Sequence, residues 1–281
     1  MHGLCVVDKP AGMTSHDVVA VVRRALGERR VGHAGTLDPD ATGVLLVGVG
    51  SVTRVLRFVQ ELPKTYTGAV VLGIETSTLD AAGEVTARHD LSGVGVEDAR
   101  RVVAEHLTGP ILQVPPMVSA LKVGGRRLHE LAREGIEVER APRPVTVHRF
   151  DVETGPEPGV LAIEVVCSSG TYVRSLAADL GRLLGGGAHL RDLRRTAIGS
   201  FTVTEARPLD DLVLLPPAEA VRDLPATVVD DRGALDVAHG RPLPRPGGDG
   251  PWAVLGPDGA LLAVYEAAGD RAKPAVVLAA G

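Results

Sequence analysis

Residues Gly32–Arg54 read GHAGTLDPDATGVLLVGVGSVTR, and the two halves of this run differ in character. Gly32–Gly43 is polar and bounded by glycines, with His33, Thr36, Asp38, Asp40 and Thr42 around Gly35. Glycine allows a tight backbone and the close approach of a ligand. Asp and Gly are also the ordinary residues of turns. Two readings therefore stand side by side. Asp38 and Asp40 cap backbone N–H groups in a strand connection, or an Asp of the loop serves as nucleophile or base. Val44–Val49 is continuously apolar and reads as a buried strand, and Val52–Val59 as a short helix.

Upstream, Leu4–Val7 is a short apolar strand ending in the turn Asp8-Lys9-Pro10-Ala11-Gly12. Thr14 or Ser15 can cap a helix running to about Leu26, with Gly27 as its stop. Downstream, Lys64–Ile74 alternates as a strand. Val96–Leu107 reads as a helix stopped by Gly109-Pro110, and Pro115–Glu139 as a long stretch with a short helical centre. Val145–Glu153 and Leu161–Cys167 read as strands, Thr171 as the cap of a helix to Leu184, and Leu193–Phe201 as a further strand. Strands and helices interleave without regular βαβ alternation, which predicts an α+β fold. A boundary is expected near Pro216–Pro225. Beyond it, Ala226–Val229, Trp252–Leu255, Leu261–Tyr265 and Ala275–Leu278 are short strand-like runs between turns, the pattern of a small β-barrel-like domain.

The chain has 281 residues, 44% hydrophobic and 23% charged, with a formal net charge of −5. That excludes disorder, collagen and coiled coil as descriptions of the whole. It also gives no global attraction to nucleic acid, so any such site must be a local basic patch. Only seven residues are aromatic, and of thirty basic residues only Lys9, Lys64, Lys122 and Lys273 are lysines. Cys5 and Cys167 have no metal-ligand spacing and read as core residues in a reducing compartment. No signal peptide or membrane span is read, so a cytoplasmic protein is expected.

Two partial motifs need weighing. Asp38-Pro39-Asp40-Ala41-Thr42 fits the DxDxT pattern of phosphoaspartyl transferases. That pattern needs an apolar strand leading into the first Asp, whereas here the apolar run follows it. Gly48–Thr53 nearly fits GxGxxG, but its third glycine is Thr53.

The run Gly32–Arg54 resembles the central motif of the TruB family of tRNA pseudouridine synthases, GHxGTLDPxATGVL. Five more blocks resemble that family in the same order: VDKPAGMTS (Val7–Ser15), Lys64-Thr65-Tyr66, QVPPMVSALKVGG (Gln113–Gly125), SGTYVRS (Ser169–Ser175) and HLRDLRR (His189–Arg195). The resemblance implies a pseudouridine synthase fold with a mixed, mainly antiparallel central sheet flanked by helices. It implies residues 1–224 as the catalytic domain, with an RNA-gripping insertion at about 113–149. Residues 225–281 would form a PUA-like RNA-binding domain. The implied activity is isomerisation of the uridine at position 55 in the tRNA T loop, without metal or organic cofactor.

Residue roles carry over by the same resemblance. Asp38 starts the reaction, by attacking the nucleoside or by taking a ribose proton. Tyr66 packs on the uracil and is a candidate base for the C5 proton. Arg174 pairs with the catalytic Asp, holding it ionised and oriented. His33 lies beside the flipped nucleotide, Tyr172 and Leu193 line the pocket, and Lys9 supports the active-site strands. Phosphate contacts are expected from local clusters: Lys122, Arg126 and Arg127 in a segment of net charge +3 (Lys122–Arg149), and Arg191, Arg194 and Arg195. The C-terminal segment carries seven acids against five bases, so a general attraction to RNA is not expected of it. The expected partner is the T arm of tRNA, and the expected state is a monomer with no membrane contact. A tRNA-binding or tRNA-folding protein without chemistry, or a DxDxT phosphatase, are the alternative functions.

Overall fold

The computed structural model describes residues 1–119, 121–136 and 138–278. In chain order the elements are β1 (Gly3–Lys9), α1 (Ser15–Leu26), β2 (Val31–Ala34), β3 (Thr42–Val49), α2 (Leu56–Gln60), β4 (Lys64–Leu72), β5 (Ile74–Thr76), β6 (Val85–Arg88), α3 (Val96–His106), β7 (Gly109–Gln113), β8 (Lys122–Val123), β9 (Arg126–Arg127), α4 (Leu128–Arg133), β10 (Arg143–Thr154), β11 (Val160–Cys167), α5 (Val173–Leu183), β12 (Ala188–Ile198), β13 (Phe201–Thr202), β14 (Ala226–Val228), α6 (Asp231–Ala238), β15 (Leu243–Pro244), β16 (Trp252–Leu255), β17 (Leu261–Ala268) and β18 (Arg271–Val277). The fold is α+β. Two compact units emerge: Met1–Pro39 with Gly43–Leu62 and everything from Gly199 onward, and Asp40–Thr42 with Pro63–Ile198.

In the first unit β3 pairs antiparallel with β1 and with β2, Val49 facing both Gly3 and Val31. Strand β2 occupies the first quarter of what reads in the sequence as a loop. Its short VGHA run is too polar to signal a strand without its partner. Helix α1 starts where the sequence suggests. The Thr14 side chain accepts from the Asp17 N–H, the Asp17 carboxylate accepts from the Thr14 N–H, and Gly27 ends the helix in the left-handed region at φ 60°. Its apolar face (Val18, Val19, Val22) packs on Cys5, Val7, Val31, Leu45, Val47 and Val49. Burying each such side chain contributes at most about 1.5–3 kcal/mol. Gly48 is closely packed. A Cβ there would lie 3.0 Å from the Leu56 side chain, which sits over the strand.

The same unit contains the C-terminal sheet, ordered β14-β16-β17-β18-β15. Its own core comprises Val237, Trp252, Val254, Ala263, Tyr265 and Ala272. The two buried aromatics have satisfied polar tips: Trp252 Nε1 donates to Gly247 O at 2.9 Å and Tyr265 OH to Arg241 O at 2.9 Å. The sequence signals four strands here. Helix α6 and the two-residue β15 are additions, the helix capped by Asp230 through the Gly233 N–H.

In the second unit the strands run β12-β4-β11-β10-β7, every neighbouring pair antiparallel. Helix α3 packs on β10 and α5 on β12 and β4, and the helices touch one another. Strands β8 and β9 form a hairpin before α4 in the expected insertion. Cys5 and Cys167 are buried and unbridged, and burial pushes both thiols up to about 11. No helix among the described residues is long and apolar enough to cross a membrane.

Candidate active site

Asp38 lies in the connection from β2 to β3 and is half-buried. Both of its neighbours are anchored within the first unit. On the near side, the Leu37 N–H donates to Ser15 Oγ at 2.9 Å, and Ser15 Oγ donates to Leu37 O at 3.2 Å. On the far side, Pro39 O accepts from Lys9 Nζ at 2.8 Å and from the Gly12 N–H at 3.0 Å. Lys9 is fully buried and also donates to Pro10 O and Met13 O, at 2.8 and 2.6 Å. An ammonium has three protons, and three carbonyls receive them. The segment VDKPAGMTS is thus a clamp for the backbone on either side of Asp38. His33, on β2, meets His16 edge-on with ring centroids 5.4 Å apart.

The clamp has a stability consequence. Lys9→Met keeps the stem and removes all three donors from part-buried carbonyls. It is expected to lower unfolding stability by about 2–4 kcal/mol. Urea denaturation measures this, and an unchanged midpoint would contradict the clamp.

Tyr66 lies on β4 in the second unit, 9% exposed, between Val165 of β11 and Arg195 of β12 in register. The K-x-Y spacing puts Lys64 on the same face, because strand side chains alternate. Arg195 is 1% exposed. That corrects its expected place among surface phosphate contacts: its guanidinium is interior, on the strand beside Tyr66. Further along β12 the ladder skips from Arg191, opposite Ala69, to Arg194, opposite Thr67. Asp192 and Leu193 together face Gly68, with Asp192 in the left-handed region at φ 56°. A bulge of this kind breaks strict alternation and re-aims a side chain. It sets the direction of Leu193.

Arg191 bonds Glu157 and Asp192, at 3.0 and 3.1 Å, and Arg194 Nη1 donates to Thr42 Oγ1 at 3.2 Å. In the insertion, Arg126 is paired with Glu134, and both are about half-exposed. The side chains of Lys122 and Arg127 lie outside the described residues.

Tyr172 and Arg174 open helix α5. The N-cap is Tyr172, not Thr171, whose hydroxyl donates instead to Ser168 O. Arg174 is 4% exposed and donates to Thr78 O and Val118 O, each at 2.8 Å. Its Nη1 also lies 3.4 Å from the Asp80 carboxylate. Asp80 is held by the Thr78 hydroxyl and the Ala82 N–H. The sequence reading missed Asp80. One signal was present, because Thr78-Leu79-Asp80 repeats the tripeptide Thr36-Leu37-Asp38.

Asp38 is a rigidly framed carboxylate of the first unit. The second unit carries a buried arginine, two tyrosines and a re-aimed leucine, side chains suited to holding a planar polar ring. Among the described residues no cluster of three or more His, Cys, Asp or Glu is placed to hold a metal. The TruB family pseudouridylate synthase N-terminal domain matches residues 23–173. The chain belongs to the TruB family of pseudouridine synthases. As a TruB-family protein it is an isomerase. Residues 174–219 match the tRNA pseudouridylate synthase B C-terminal domain, and residues 224–279 match tRNA Pseudouridine synthase II, C terminal. The tRNA pseudouridine synthase B of Symbiobacterium thermophilum is 53% identical over 243 residues, 83% of this chain and 80% of the relative. That of Arthrobacter sp. (strain FB24) is 46% identical over 298 residues, covering 99% and 97%. A chain in the crystal structure of a Cbf5–Nop10–Gar1 complex superposes with a TM-score of 0.78 at 27% identity, over 99% of this chain and 85% of that one. That likeness includes the C-terminal sheet.

Proposed function

We propose that this protein isomerises uridine 55 in the T loop of tRNA to pseudouridine. The N1–C1′ bond of the nucleoside breaks, the uracil turns within its pocket, and a C5–C1′ bond forms. The proton on C5 leaves and N1 gains one, so atoms balance without a redox partner. Asp38 starts the sequence, as the carboxylate that attacks the nucleoside or takes a ribose proton. Arg174 keeps it ionised, and the Tyr66 ring carries the base and its hydroxyl oxygen is the candidate acceptor for the C5 proton. Tyr172 and Leu193 line the pocket, and His33 occupies the space of the flipped nucleotide. A base inside a folded loop has to leave the stack before it can react, which is why aromatic and apolar walls are needed.

The observation that carries the reading is the double anchoring of the Asp38 loop by Ser15 and Lys9. A group that makes and breaks bonds works best when its geometry is set beforehand. The choice of tRNA follows from the relatives, tRNA pseudouridine synthases B matched along nearly their whole length. Residues 1–224 would do the chemistry, with the insertion at 113–149 on the T arm. Residues 225–281 would be a PUA-like domain touching another part of the tRNA. The protein would act as a cytoplasmic monomer.

Isomerisation at C5 releases that hydrogen, so an unmodified tRNA labelled with tritium at uridine C5 should lose one label per molecule. No release, with tRNA bound, would favour a folding protein without chemistry.

Binding has its own test. Arg126 is an exposed side chain held by Glu134, so a phosphate has only to compete with a solvated ion pair. Replacing Arg126 and Arg127 with Gln together should weaken binding to all tRNAs alike. It should also flatten the log–log salt slope by about one unit per lost phosphate contact. An unchanged slope would remove both from the interface. Truncation after Leu224 should weaken full tRNA binding modestly and leave the single-turnover rate on an isolated T-arm hairpin unchanged. A collapsed rate on the hairpin in a folded truncation would contradict this division of labour.

A further inference from the structure

Helix α5 begins with an unusual cap. Ser, Thr, Asp and Asn favour the N-cap because their side chains accept from the first free N–H groups. Here the N-cap is Tyr172, with no side-chain cap hydrogen bond. In a capping box the third helical residue would reach back to the cap's own N–H. Ser175 holds that position, but its hydroxyl points elsewhere and donates to Val114 O at 3.2 Å.

The missing partner comes from 59 residues away. The Gln113 side chain, 2% exposed at the end of β7, accepts from the Tyr172 N–H at 2.8 Å and donates to Tyr172 O at 3.1 Å. One amide thus bonds both polar groups of one residue's backbone, as a paired strand would. Arg174 extends the seam to Val118 O. On its other side Tyr172 follows a turn tied to β10. The Thr146 N–H donates to Ser168 Oγ at 2.9 Å, and the Ser168 N–H donates to Thr146 O at 2.8 Å. With the backbone fixed on both sides, the Tyr172 ring has only its few staggered rotamers left.

We infer that Gln113 is a positioning residue for the isomerase pocket, holding Tyr172 at the angle the flipped base requires. The inference rests on the reading that Tyr172 lines that pocket. It also explains why Ser175 need not reach back to the N-cap: Gln113 of β7 gives the Tyr172 N–H its acceptor, and the Tyr172 side chain is left available to the substrate.

The test uses full-length protein and unmodified tRNA, with filter binding and single-turnover rates at saturating RNA. Gln113→Met keeps length and bulk and removes both hydrogen bonds, and Gln113→Ala removes the side chain. Both are expected to lower the single-turnover rate at least about 10-fold, since misplacement of a positioned group by about 1 Å can cost 10²-fold. Dissociation constants should stay within threefold. In a Tyr172→Ala background, Gln113→Met should add less than twofold, because the ring it positions is gone. Circular dichroism identifies the folded variants, and the Met variant serves if the Ala variant does not fold. A wild-type rate for Gln113→Met, or full additivity with Tyr172→Ala, would overturn the inference. Asp38→Asn run in parallel separates the two levels. If Asp38→Asn retains turnover, the catalytic reading itself fails. If it is dead while Gln113→Met runs normally, only the positioning role fails.

Discussion

Asp38→Asn is expected to abolish isomerisation while tRNA affinity stays within a few-fold of wild type. The amide has nearly the size of the carboxylate but carries no charge and is a poor base and nucleophile. Removing the key reacting group of an enzyme typically costs about 10⁴-fold or more in rate. The loop should keep its shape, because its anchors act on Leu37 and Pro39 and not on the Asp38 side chain. Binding should persist, because one carboxylate is a small part of a large polar interface. Single-turnover product and filter binding give the two numbers. Substantial turnover by Asp38→Asn would remove Asp38 from the chemistry.

Tyr66→Phe is expected to bind tRNA normally and to turn over at least about 10²-fold more slowly, the scale of general acid–base assistance. The ring is buried in the sheet between Val165 and Arg195, so the phenylalanine should occupy the same place and keep its stacking face. Only the hydroxyl is lost. A wild-type rate would make Tyr66 a platform alone, and the C5 proton would need another acceptor. The first step should survive in Tyr66→Phe but not in Asp38→Asn, so a covalent or abasic species accumulating only in the tyrosine variant would order the two roles.

Local signals carried much of this fold. The run TGVLLVGV of β3 is apolar enough to be a strand in any context, and helix α1 announces its ends through Thr14, Asp17 and Gly27. Strand β12 is different. Four of the seven residues of HLRDLRR are charged, and the sequence places a strand only from Leu193, whereas the strand runs Ala188–Ile198. Its charged residues are tolerated because partners distant in sequence receive them: Glu157 for Arg191 and Thr42 for Arg194. The burial of Arg195 and the bulge at Asp192 are likewise decided by β4. The cap of α5 was misread as Thr171 because its true partner, Gln113, lies on another strand. Asp80 was missed because only tertiary folding brings it to Arg174. What is local could be read from the sequence; what is exchanged between strands could not.

The measurement that bears most directly on the account is nucleotide-resolution mapping of pseudouridine in an unmodified tRNA incubated with the protein, with and without EDTA, beside a transcript carrying cytidine at position 55. The account predicts one new pseudouridine, at position 55, in equal yield with and without EDTA, and none in the cytidine transcript. Modification elsewhere in the tRNA, loss of product on chelation, or no product under conditions where the tRNA is bound would contradict it.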